Sequence, residues 1–234
     1  ANIFVLVVFG VMMSAAALLP PMMQRLLGYD TLRSGLLTMP RGVAMMISMI
    51  LMSRVLKKVD MRLVIVTGMA MIATAQWMMT GFDLEMDQRP IIYTGLLQGA
   101  GLGMVMVPLN LLAFSTLSPR LRTSAASLYS LTRNIGASLT IAMFSAFLAR
   151  NQQISHSDLV SSLSLPKMAV SGAQVQTELV ARMIDAEINR QAVMIAYIDD
   201  FWLMAVLSFI MLPLAFLLKP VKSGPQDMSA MVME

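Results

Sequence analysis

The chain has 234 residues, 57% of them apolar and 13% charged, with a mean hydropathy of +0.72. That composition excludes an ordinary water-soluble domain and a disordered chain, and indicates a protein whose solvent is the bilayer. The net charge of +4 (17 basic minus 13 acidic residues) is divided among loops in a way that argues against nucleic acid as a partner, and the absence of cysteine removes disulfides, thiolate metal sites and cysteine nucleophiles.

A helical crossing needs about 20 mostly apolar residues. In chain order such segments fall at 3–23, 36–55, 63–82, 91–112, 125–148 and 193–218. Each is continuously apolar and rich in Met, Leu and Ala, whereas the strands of a closed barrel alternate over about 10 residues. The expected fold is an all-α integral membrane bundle of six transmembrane helices. Residues 1–149 hold the first five spans with short loops, 150–191 an extracytoplasmic loop with an amphipathic helix, 192–218 the last span, and 219–234 a cytoplasmic tail. The chain opens on Ala1-Asn2 directly before a span, with no basic leader or small-residue cleavage site. It therefore reads as the back part of a larger membrane protein.

Basic residues set the orientation. The second loop, the fourth loop and the tail carry Arg54, Lys57, Lys58, Arg62, Arg120, Arg122, Lys219 and Lys222, while the opposite short loops carry Arg25, Arg33 and Arg89. The richer side is expected to be cytoplasmic, so the first span runs outward. Tyr29, Trp77, Tyr93, Tyr197 and Trp202 then fall near outer span ends, where interfacial anchors belong.

Polar groups inside the spans are costly and therefore informative. In the second span Arg41 follows Pro40; it faces a pathway, locks a neighbouring helix, or snorkels to the outer interface. The fourth span has Gly95, Gly99 and Gly103 at four-residue spacing with Gly101 between them, a small-residue ridge that lets another helix approach closely. Gln98 and Asn110 are its polar candidates, and Pro108 is expected to interrupt the helix. In the fifth span Arg133 precedes Asn134, with Ser130, Asn134, Ser138, Ala142 and Ala146 in a row of four-residue steps. A cation at that depth faces a wet cavity or a partner, because lipid exposure costs about 2.5 kcal/mol or more. Its two readings are a substrate pathway and a structural lock onto carbonyls of a neighbouring helix.

Between the fifth and sixth spans lies a polar stretch with Ser155, Ser157, Ser161, Ser162, Ser164 and Pro166, containing the sole histidine, His156, as a solvated loop residue. From Ala173 to Arg190 apolar residues recur at near-helical spacing, which predicts an amphipathic helix leading into the last span. The stretch caps the bundle or docks a periplasmic partner. Asp199 and Asp200 stand at the outer entrance of the last span and are the nearest titratable acids to the membrane interior, since no Asp or Glu falls mid-span. The 26 methionines suit either lipid-facing filler or a pocket for varied apolar ligands.

Taken together, several strings resemble the fourteen-helix drug:proton antiporters of the major facilitator superfamily, of the EmrB/QacA type. They are Leu19-Pro20-Pro21-Met22-Met23-Gln24, Leu27-Gly28-Tyr29, Ser34-Gly35-Leu36, Pro40-Arg41-Gly42, Leu97-Gln98-Gly99-Ala100-Gly101-Leu102-Gly103, Val107-Pro108-Leu109, Arg133-Asn134-Ile135-Gly136 and Leu148-Ala149-Arg150-Asn151. Arg190-Gln191-Ala192-Val193-Met194-Ile195-Ala196-Tyr197-Ile198-Asp199-Asp200-Phe201-Trp202 is similar to the family's entry into its last helix. The likeness covers nearly the whole chain and matches the last six helices of the family plan. The loop with Arg54, Asp60 and Arg62 is similar to the superfamily's cytoplasmic gating loop, although Ser53 stands where glycine is usual and Leu56-Lys57 replaces an acidic position.

The resemblance implies a bacterial inner-membrane, multi-pass exporter of hydrophobic or amphiphilic compounds, driven by the proton gradient and needing no cofactor or metal. It implies as partners the N-terminal half of the same permease, membrane lipid and, in Gram-negative members, a periplasmic adaptor and an outer-membrane channel. The family's main proton-linked carboxylates belong to the half not present here. A non-transporting membrane scaffold or partner subunit is the alternative; an enzyme is poorly supported, because no nucleophile, metal cluster or carboxylate pair lies within a span.

Overall fold

The computed structural model describes residues 2–56, 58–114, 122–162 and 174–216, and the described residues form six helices. These are α1 (Asn2–Leu26), α2 (Thr31–Val55), α3 (Met61–Met79), α4 (Gln88–Phe114), α5 (Arg122–Ser162) and α6 (Gln174–Phe216). All six are long and apolar enough to cross a membrane. Lys57, the Arg120 loop position, Pro166 and the 217–234 tail with Lys219 and Lys222 lie outside the described residues.

Helix ends follow local chemistry. Asp30 and Asp60 cap α2 and α3, their carboxylates accepting the backbone N–H of Arg33 and Arg62 at 3.1 Å each. Gly28, at φ 68°, supplies the left-handed residue that turns the chain out of α1. Prolines 20, 21, 40 and 108 all lie within helices. In particular α4 continues through Pro108 to Phe114, contrary to the expected interruption. Helices in hydrocarbon tolerate such residues because neighbouring elements and local adjustments satisfy the freed carbonyls.

α4 packs between α2 and α3, α3 also lies against α6, and α6 continues the contact to α5 and α1, which pack along each other. Glycines allow three of these seams, α1–α5 at Gly10 and Gly136 and the two on either side of α4. A Cβ at Gly99 would collide with the backbone carbonyl of Arg41 on α2, and one at Gly103 would stand 2.5 Å from the carbonyl oxygen of Met45. Gly95, on the same ridge, has only an ordinary 3.7 Å neighbour, the Cβ of Arg41. Gly101 turns the other way, where a Cβ would stand 2.5 Å from the carbonyl oxygen of Gly68 on α3. Backbone thus meets backbone on both sides of α4, the packing that small residues permit in membranes. Ser48 of α2 adds a hydrogen bond to the carbonyl of Ala100 at 2.8 Å.

The interior is apolar and methionine-rich. Toward the end of the bundle away from the 54–62 loop, Leu18, Leu19, Met22, Met79, Phe82, Tyr197, Phe201 and Met204 form one buried cluster. Nearer the other end Val8, Met12, Ile65, Met69, Ile72, Leu102 and Val105 form a second. Tyr197 is therefore a core residue, 1% exposed and stacked on Phe201 at 6.4 Å, not an interfacial anchor. Trp77, Tyr93 and Trp202 are exposed.

The described residues of the 150–191 segment are helical. α5 runs on to Ser162 and α6 begins at Gln174, so the membrane helices continue outward as an antiparallel pair. Its rungs are Gln152 Nε2 donating to Asn189 Oδ1 at 3.3 Å and the contact of His156 Nε2 with Asp185 Oδ1 at 3.3 Å. His156 is accordingly a helical residue with an acidic partner. The amphipathic stretch and the last span are one unbroken helix.

Candidate functional site

α1 is gripped by two arginines from opposite neighbours. Arg41 projects from α2 and donates from Nη2 to the backbone carbonyl of Met12 at 3.3 Å, while its own backbone lies against Gly99 of α4. One residue therefore ties α1, α2 and α4 together at mid-span. Its side chain is half-buried and crosses to α1; it does not snorkel to the outer interface. On the other side Arg133, also half-buried, places its guanidinium carbon 4.9 Å from the centroid of the Phe9 ring. That geometry is a cation–π contact, which contributes about 0.5–2 kcal/mol depending on desolvation.

The two cations differ in what remains unsatisfied. The Nε–H of Arg133 is buried without an acceptor, and among the described residues no carboxylate forms an ion pair with it. A guanidinium carries five donors, so Arg133 retains hydrogen-bonding capacity beside an aromatic ring. Its chain neighbour Asn134 is exposed, as are Ser138, Ala142 and Ala146, so the small-residue row of α5 faces out of this bundle. Asn110 is half-buried on α4 and not joined to the arginines by any contact described here.

Other polar groups lie deeper. Gln98 is 0% exposed, and neither end of its amide has a partner. Gln76 of α3 accepts a 2.7 Å hydrogen bond from the Ser208 hydroxyl of α6, the polar link across that interface, while its Nε2 is unpaired. Gln76 was legible in the sequence as an amide inside the third span, but its partner lies 132 positions away and no spacing rule points to it. Of the two acids on α6, Asp199 is half-buried and accepts from Asn151 Nδ2 at 3.3 Å. Asp200 is fully buried and has no partner at either oxygen. The pair therefore does not form a common entrance.

In the 54–62 loop, Arg54 and Asp60 are exposed, and Asp60 is spent on capping α3. Arg62 is half-buried with an unpaired Nε. Among the described residues no group of three or more His, Cys, Asp or Glu comes together to hold a metal ion.

Six helices long and apolar enough to cross a membrane, with glycine seams and isolated cations inside the bundle, define a multi-pass α-helical membrane protein. The sequence profile of the Major Facilitator Superfamily matches residues 2–141, more than half of the chain, and the chain belongs to that superfamily. Among its curated relatives, Multidrug export protein EmrB of Escherichia coli (strain K12) is 24% identical over 214 residues, covering 88% of this chain and 42% of EmrB. Fatty acid resistance protein FarB of Neisseria gonorrhoeae is 25% identical over 219 residues, 91% of this chain and 43% of FarB. Multidrug resistance protein B homolog of Mycobacterium tuberculosis (strain ATCC 25618 / H37Rv) is 28% identical over 147 residues, covering 62% of this chain and 27% of the relative. The EmrB-type resemblance read from the motifs agrees with these names, and the protein is a multi-pass inner-membrane protein. The chain spans less than half the length of the relatives it matches.

Proposed function

We propose that the chain is the C-terminal six-helix portion of a proton-driven multidrug exporter that moves hydrophobic or amphiphilic compounds out of the cell by alternating access. The observation that carries this reading is the pair of outward helices α2 and α5. Both are of crossing length, yet only 17% of the apolar window of each is buried, against 44–56% for the other four. Their exposed faces, with Met39, Val43, Met46 and Ile47 on one and Leu131, Ile135, Leu139 and Met143 on the other, suit a second half-bundle. Superfamily carriers rock two such halves about a midplane site.

In this scheme Arg133 lines the cavity from α5, with Phe9 holding one side of its half-buried guanidinium. Arg41 braces the α1–α2–α4 corner. Flexible thioethers accommodate varied apolar ligands. The outward α5–α6 pair is the natural surface for a periplasmic adaptor leading to an outer-membrane channel, and transport needs no bound cofactor. The activity is transport and not catalysis.

Arg133→Ala in the complete membrane protein is expected to abolish efflux while leaving membrane expression intact. Unchanged efflux overturns the cavity role. A scaffold or partner subunit, the second reading, predicts no substrate-dependent proton movement in vesicles, and that measurement separates the two.

A further inference from the structure

Asp200 is the most costly group in the described bundle. It is 0% exposed, and neither carboxylate oxygen meets a hydrogen-bond donor. Its neighbours along one face of α6, Tyr197 and Met204, and the adjacent Phe201 are each 1% exposed or less. They belong to the apolar cluster with Leu18, Leu19 and Met22 of α1, Met79 of α3 and Phe82 beyond it. An ionised carboxylate without partners in such surroundings costs several kcal/mol, whereas the neutral acid forgoes only about one hydrogen bond.

The surrounding charges offer no compensation. On α6 the next acid is Asp199, engaged with Asn151 of α5, and Tyr197 is the near phenol. From α1 the only cation is Arg25, exposed in its last turn. On α3 no charged residue follows Arg62 before the turn that holds Asp83, Glu85 and Asp87, all exposed. On α5 Arg150 beside Asn151 is exposed. The turn after α3 closes the outer end: Phe82, 3% exposed, stands edge-on to Phe201 at 6.1 Å, and Leu84 and Met86 pack on the same cluster.

We propose that Asp200 is a proton-binding residue of this half, with the Phe82–Phe201 contact and the 80–87 turn as the closure between it and outer water. The step is a single protonation: the carboxylate takes one proton from the outer side when the turn lifts, and the neutral acid is enclosed when it closes. Ionisation then requires α6 to part from α1 and α3, which links proton release to helix movement. This deepens the proton-driven reading above and assigns a coupling group to a half in which no carboxyl was expected mid-membrane.

The test is infrared spectroscopy of the complete membrane protein in lipid, stepped from about pH 5 to about pH 9, above the ordinary carboxyl range. The expected result is a protonated-carboxyl C=O band that persists where ordinary carboxyls have ionised, disappears in Asp200→Asn and stays in Asp199→Asn. Phe82→Ala should speed its shift in D2O. Absence of the band from the wild type, or its retention in Asp200→Asn, overturns the proposal; where Asp200→Asn does not fold, Asp200→Glu keeps an acid at the position and should shift the band, and an unshifted band overturns the proposal. A protein that moves no protons but keeps the Asp200 band sinks the proton-driven export reading and not this site. One that moves protons and lacks the band sinks this site alone.

Discussion

α3 and α2 are near equals by hydropathy, at 1.3 and 1.5, yet 44% of one window is buried and only 17% of the other. α5, at 1.2, shares the low value, and α4, at 1.4, reaches 50%. Hydropathy in a membrane protein thus determines which segments cross, not which faces pack, because lipid tails are as apolar as leucine. Packing follows small and polar residues instead: Gly68 and Gly101 join α3 to α4, Gly99 and Gly103 join α4 to one face of α2, and the Gln76–Ser208 link joins α3 to α6. α2 is attached mainly along its seam with α4, with Arg41 reaching across to α1.

Three substitutions test that difference. Gly99→Leu places a side chain where the backbone of Arg41 already lies, so it should split α2 from α4. The expected loss is about 3 kcal/mol or more, seen as a large fall in Tm of the detergent-purified complete protein. An unchanged Tm would remove the seam from the account. Ser208→Ala deletes one buried hydrogen bond inside the core and leaves the Gln76 amide wholly unpaired, for an expected loss of about 1 kcal/mol in the same measurement. Gly95→Ala adds a Cβ at ordinary contact distance and should shift stability by less than about 0.5 kcal/mol. A large effect there would mean that the seam is tight along the whole ridge.

The six spans were legible because a continuous apolar run of crossing length has few other uses, whereas the caps at Asp30 and Asp60, which start α2 and α3 ahead of the apolar runs, were not read. The glycine ridge was legible as spacing, but not the division of labour by which Gly101 faces α3 while Gly99 and Gly103 face α2. Arg41 shows the limit for cations: a long side chain reaches either an interface or a carbonyl 29 positions away, and composition does not choose. Asp200 shows it for acids. Two adjacent carboxyls read as the water-facing edge of a span, but consecutive residues on a helix point to different surroundings, Asp199 to Asn151 of α5 and Asp200 to a buried site without partners. Tyr197 was misplaced for the same reason.

The length of α6 also has a mechanical meaning. Asp185, at the His156 rung, lies 15 residues beyond Asp200 on the same helix, about 22 Å along its axis. A tilt of about 10° at the level of the membrane would therefore sweep that rung sideways by about 4 Å. The projecting pair works as a lever, turning a slight rocking of the buried segment into a displacement large enough for a neighbour outside the membrane to register.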